Sequence, residues 1–156
     1  MSIIEDKLKK LGLQLQTAKP SVANYLGSKR SGELLFASGR VSELKGEVGT
    51  DVTEGEAKIA ARDTVLLILA IIKQDIGSLD LIRDVIKMQG FIRSSPQFIR
   101  HPYVLDGASD LLVELFGMNG QHARTATGVN QLPFGATLQL DIILQLKPMT
   151  TWVIQT

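Results

Sequence analysis

The most regular pattern of apolar and polar positions is in ATLQLDIILQL, residues 136–146. Leu138, Leu140 and Ile142 alternate with Gln139, Asp141 and Ile143. A period of two is that of a strand with two distinct faces. A different period governs TEGEAKIAARDTVLLILAIIKQDIG, residues 53–77. There Ala57, Ala60, Ala61, Thr64, Ile68 and Ile71 fall on one helical stripe. Thr53 and Glu56 have capping-box spacing at its start, and Gly77 stands at its end. The stretch Val65–Ile72 is apolar nearly all round. That predicts a helix buried on more than one side.

Residues 2–11 also have a helical pattern. Ser2 and Glu5 repeat the capping spacing, Ile4, Leu8 and Leu11 share a face, and Gly12 is a stop. Short runs at Asn24–Gly27 and Leu34–Ser38 read as strands, with KRSGE as the turn between them. LIRDVIKMQGFI, residues 81–92, suits a helix by composition and a strand by its Ile and Val content. VLDGASDLLVELFG reads as a second long helix ending at Gly117, and HARTATGV as a strand joined to 136–146 through NQLPFG. The order predicts an α+β domain with its helices on one face of a sheet.

Bulk composition narrows the classes. The 156 residues suit one domain, and 44% hydrophobic content fills a core without staples. Cysteine is absent, which excludes disulfides, thiolate metal sites and a cysteine nucleophile and fits a reducing compartment. His101 and His122 are the only histidines, in no metal-ligand spacing, so a metal site is not expected. His122 lies near Arg124 and reads as a rim, surface or interface residue. A net charge of +1 and 5% aromatics show neither the basic patch nor the stacking platform of a nucleic-acid binder. The first ten residues lack a signal-peptide apolar region, and VLLILAII is far short of the roughly 20 residues of a membrane helix. These features predict a soluble, cytoplasmic protein. No serine elbow and no phosphate loop is present.

One residue breaks its surroundings. Arg124 stands among Ala123, Thr125, Ala126, Thr127 and Gly128, small or β-branched residues that suit a packed strand. A guanidinium cannot shed its proton, so burial there demands a partner. Either it clamps a ligand carboxylate in bidentate fashion, or it makes a structural salt bridge, to Asp141 or across a subunit boundary.

Three segments in order resemble one family: NYLGSKRSGELLFASGRV, ASDLLVELFG and ARTATGVNQLPFGATLQLDIIL. They are similar to the YjgF/RidA family of enamine/imine deaminase-like proteins, formerly called endoribonuclease L-PSP or translation inhibitors. The resemblance covers residues 13–147, leaving 1–12 as an N-terminal helical extension and 148–156 as a tail. It implies a chorismate-mutase-like α+β fold, a homotrimer with clefts between subunits, and no cofactor. It also implies a substrate carboxylate held by Arg124, with Tyr25, Ser38 and Ser109 lining the cleft. The family's asparagine on the second helix is Ser109 here. The acid that activates water in active members falls on Gln139, followed by Asp141. An amide holds a water but takes no proton from it.

Two functions follow from the resemblance. One is hydrolysis of small 2-imino or enamine acids to 2-oxo acids and ammonia. The other is a non-catalytic or regulatory trimer that binds a small carboxylate. The family's ribonuclease label is a third, which the charge and aromatic content do not support. Residues 1–12 are expected to dock as a helix. Trp152, Val153 and Ile154 are expected to pack the tail.

Overall fold

The alternating segment near the end of the chain forms the centre of the sheet. In the computed structural model, which describes residues 2–18, 20 and 23–149, β5 (Leu138–Leu146) is flanked by β2 (Leu34–Val41) and β3 (Ile82–Arg93). β1 (Ser28–Ser31) lies outside β2, and β4 (Ala123–Val129) lies outside β3. The order is β1-β2-β5-β3-β4, antiparallel except for the parallel β3–β4 pair. The parallel pair needs a crossover, and α3 (His101–Phe116) provides it.

Leu138, Leu140, Ile142, Leu144 and Leu146 are all buried on one face of β5. Each such side chain contributes roughly 1.5–3 kcal/mol through its removal from water. α2 (Glu54–Ile76) and α3 cover that face and pack on each other. The capping box of α2 is formed: Glu56 N–H donates to Thr53 Oγ1 at 3.1 Å, and Thr53 N–H donates to Glu56 Oε2 at 3.0 Å. Val65–Ile72 is buried without interruption, because the helix packs against both the sheet and the neighbouring α3.

α1 (Ile3–Lys10) buries Ile4 and Leu8 in the same core. Its N-terminus is anchored by Asp80, which accepts from the Ser2 hydroxyl and from the amides of Ile3 and Ile4. Burial raises the Asp80 pKa, but those donors and Lys147 outweigh it and hold the carboxyl below the ordinary aspartate value. Glu5 is ion-paired with Lys73 of α2. The expected packing of Trp152 lies outside the described residues.

Two sequence expectations change. Residues 24–27 form bends and not a strand, with Tyr25 and Leu26 exposed. The strand is instead the polar run Ser28–Ser31, paired with Leu34–Ala37. Backbone hydrogen bonds offered by β2 recruit that run, whatever its propensity. The turn between the strands shrinks to Gly32–Glu33. The ambiguous segment 81–92 is β3, because β4 and β5 satisfy its backbone from both sides. α3 starts three residues before Val104, with Pro102 in its first turn, where a missing N–H costs nothing.

Candidate functional site

β1 pairs only with Leu34–Ala37, so the second half of β2 has an open edge. There the β2–β5 register passes from Ala37↔Ile142 to Arg40↔Leu140. Three steps on one strand against two on the other mark a β-bulge at Ser38–Gly39. Ser38 then ties down the neighbouring loop: its N–H donates to Gly27 O at 2.9 Å and its hydroxyl to Leu26 O at 2.5 Å. A Cβ on Gly27 would sit 2.6 Å from Ile71 Cγ2, so only glycine lets this loop approach α2. Across the bulge, a Cβ on Gly39 would lie 3.0 Å from Gln139 Nε2. The absent side chain lets the Gln139 amide rest against the β2 backbone.

These features bound a cleft of about 600 Å³. Tyr25, Arg40, Val41, Phe134 and Gln139 are among its walls. Phe134 is 70% exposed and has a φ of 61°, the left-handed region that a bulky residue rarely occupies. Of the candidate residues, Tyr25 and Gln139 line this one cleft. The Ser38 hydroxyl is spent on the loop and is not among the cleft's walls.

Arg124 and Ser109 lie elsewhere. Arg124 is in register with Met88, which is fully buried, so its side chain faces the helices. Its Nη1 donates to Asp106 Oδ1 at 2.8 Å and to Ser109 Oγ at 3.1 Å, both on α3. The structural salt bridge considered from the sequence thus exists, but with Asp106 in place of Asp141. Nε and Nη2 of Arg124 have no hydrogen-bond partner among the described residues. His122 Nδ1 is 2.6 Å from Gly120 O, which can only accept, so Nδ1 carries the proton. In neutral His122, Nε2 then accepts from the Ser109 hydroxyl at 2.9 Å. The result is a chain from Asp106 through Arg124, Ser109 and His122 to Gly120.

Gln139 is in register with Phe91, on the face turned away from the helices. Arg124 and Gln139 therefore occupy opposite faces of the sheet, with β3 between their strands. Asp141 is beside Gln89 on the open face, one pleat from Gln139. Burial pushes the Asp141 carboxyl up from its ordinary value, and Lys87 opposes that shift. Burial lowers the His101 pKa, and its Nε2 is 3.0 Å from Ser94 Oγ, away from either group. Among the described residues, no three His, Asp or Glu side chains cluster to hold a metal, and no helix is long and apolar enough to cross a membrane.

Sequence reasoning missed Asp106, Arg40 and Phe134. Asp106 precedes Ser109 by three positions, one helical turn, and that spacing was a usable signal. The role of Arg40 depends on a bulge, which leaves only the faint mark of Ser-Gly inside a strand.

Comparison with known proteins agrees with this architecture. A family described as YjgF/chorismate mutase-like, putative endoribonuclease, matches residues 5–144. Protein TCP17 of Trypanosoma cruzi is 37% identical over 147 residues, spanning 90% of this chain and 92% of that protein. The crystal structure of Atu1372 from Agrobacterium tumefaciens, of unknown function, is 39% identical with a TM-score of 0.87, covering 93% of each chain. A Shewanella oneidensis structure described as a putative endoribonuclease is 31% identical with a TM-score of 0.88, covering 92% of this chain and 99% of that one.

Proposed function

Because the chain belongs to the family of YjgF/chorismate mutase-like proteins, we propose that it binds a small carboxylate metabolite in a cleft completed by a second copy of itself, within a homotrimer. The observation that carries this reading is the division of the site. Tyr25 and Gln139 line a cleft at the open edge of β2, while Arg124 and Ser109 face α3 from the opposite face of the sheet. One chain cannot bring these halves together, but neighbouring chains can. The open face also supports assembly, because Leu34, Phe36 and Ile86 are 38%, 42% and 38% exposed on one side of the molecule.

In the completed cleft, the Arg124 guanidinium shares Nη1 with Asp106 and offers Nε and Nη2 to the ligand carboxylate. Two parallel N–H donors match the two oxygens, and Asp106 fixes the plane of the fork. The Gln139 amide orients a water or a polar ligand atom. It takes no proton, so binding is the function this geometry supports best.

A second reading is hydrolysis of a 2-imino acid, in which water adds to the C=N carbon and ammonia leaves. The observation favouring it is Asp141, a carboxylate about 7 Å along the strand from Gln139 on the same face. Its raised pKa makes it a better proton acceptor than an ordinary aspartate.

Titration calorimetry with 2-oxobutyrate on wild type and Arg124→Lys tests the binding. The charge-assisted fork contributes about 1.5–3 kcal/mol, so the lysine variant should bind roughly tenfold to hundredfold more weakly. Equal affinities would mean that Arg124 serves only the protein's own structure. Ammonia release from freshly generated 2-iminobutyrate, with wild type beside Asp141→Asn, separates hydrolysis from binding alone.

A further inference from the structure

Arg40 is a second arginine on the helix-covered face, and its circumstances are the reverse of those of Arg124. It is in register with fully buried Leu140. Its Nη2 lies 3.8 Å from where a Cβ on Gly27 would stand, under the loop tied down by Ser38. Nε and Nη2 are enclosed, and neither has a hydrogen-bond partner among the described residues. Asp75 is near the same spot, but its Oδ2 accepts from the Ser28 hydroxyl at 2.5 Å and it makes no ion pair with Arg40. Enclosed guanidinium nitrogens with no partner among the described residues are costly, and a ligand anion would relieve that cost. Arg40 lines the cleft that holds Tyr25 and Gln139. Among the described residues the other charged side chains of that lining are Lys45 and Glu43, which with Arg40 makes one more positive than negative charge. At about 600 Å³ the cleft is within the range that accommodates ligands far larger than a four-carbon acid.

We propose that Arg40 is a second anion-binding residue of this cleft and that the ligand is a dicarboxylic 2-oxo or 2-imino acid, with its far carboxylate on Arg40. The near carboxylate rests on the reading of Arg124 given above. The two arginines would then mark the two ends of the ligand. An acid ending in a methyl group would leave the Arg40 charge unpaired and lose affinity accordingly.

Calorimetry on the full chain with 2-oxoglutarate and 2-oxobutyrate tests this, using wild type, Arg40→Gln and Arg124→Lys. Wild type should bind 2-oxoglutarate about tenfold or more tightly than 2-oxobutyrate. Arg40→Gln should erase that advantage, weakening 2-oxoglutarate far more than 2-oxobutyrate. The proposal is overturned if wild type shows no preference, or if Arg40→Gln weakens both acids alike or neither. If the glutamine variant does not fold, the thermal shift of wild type decides. An equal rise in Tm with the two acids at equal concentration overturns the proposal, and a larger rise with 2-oxoglutarate supports it. Arg124→Lys separates the two readings. If it leaves both affinities unchanged while the Arg40-dependent preference persists, the Arg124 clamp fails and the Arg40 site stands. If wild type binds neither acid, both are wrong.

Discussion

The two faces of β5 are one residue apart in sequence and have little else in common. Leu138, Leu140, Ile142, Leu144 and Leu146 are buried beneath α2 and α3. Gln139, Asp141, Ile143 and Gln145 are only partly covered, and no element of the described chain packs over them. The covered face is a core, where apolar transfer does the stabilising. The open face mixes Phe36, Phe91 and Ile143 with Gln139, Asp141, Gln89 and Lys87. A composition that is about half apolar and half polar suits a surface that a second copy covers, where groups at its margin remain available to a ligand. Stability is therefore concentrated on one face, and the proposed assembly and half of the proposed site on the other.

The largest effect should come from the covered face. Leu140→Ala leaves a cavity in a packed layer and should cost about 2–5 kcal/mol in urea unfolding. An effect under about 1 kcal/mol would mean that this layer is not close-packed. On the open face Phe36→Asp should leave the far-ultraviolet circular dichroism of the subunit unchanged but abolish the proposed trimer. Light scattering would then give a monomer mass, and a trimer mass for this variant would place the interface elsewhere.

The smallest effect concerns Asp141. Burial raises its pKa, so its ionised form opposes folding. That cost is absent below the unfolded aspartate value near 3.8 and grows as pH rises through the higher folded value. Asp141→Asn should therefore be slightly more stable than wild type at neutral pH, with the difference closing in acid. Thermal melts of the pair at pH 7 and pH 3.5 measure it. A difference that widens in acid would contradict this sign.

The same contrast explains what could be read before folding. The alternation of 138–146, the capping box at Thr53 and the apolar girth of Val65–Ile72 are local patterns, and each corresponds to the element it predicted. Local patterns fix which side of an element is buried because burial depends on spacing along one segment. The strand at Ser28–Ser31 escaped, because its polar side chains carry no burial signal and its backbone is claimed by a neighbour. Arg124 was visible as a charge out of place, but its partner was not. Asp106 is 18 positions upstream, and only the packing of α3 against β4 brings the two within 2.8 Å.

The sequence by itself determined the α+β class, the long buried helix, the two-faced central strand and the presence of an arginine that needed an anion. These follow from periodicity and from the cost of burying charge, both properties of single residues or short segments. Only the tertiary structure decided which arginine has its anion supplied. One extra residue in β2 turns Arg40 toward the helices with no ion-pair partner among the described residues, while the crossover through α3 sets Asp106 and Ser109 on Arg124. Pairing of charges depends on distances between segments far apart in the chain, and those distances exist only once the sheet and its helices have packed.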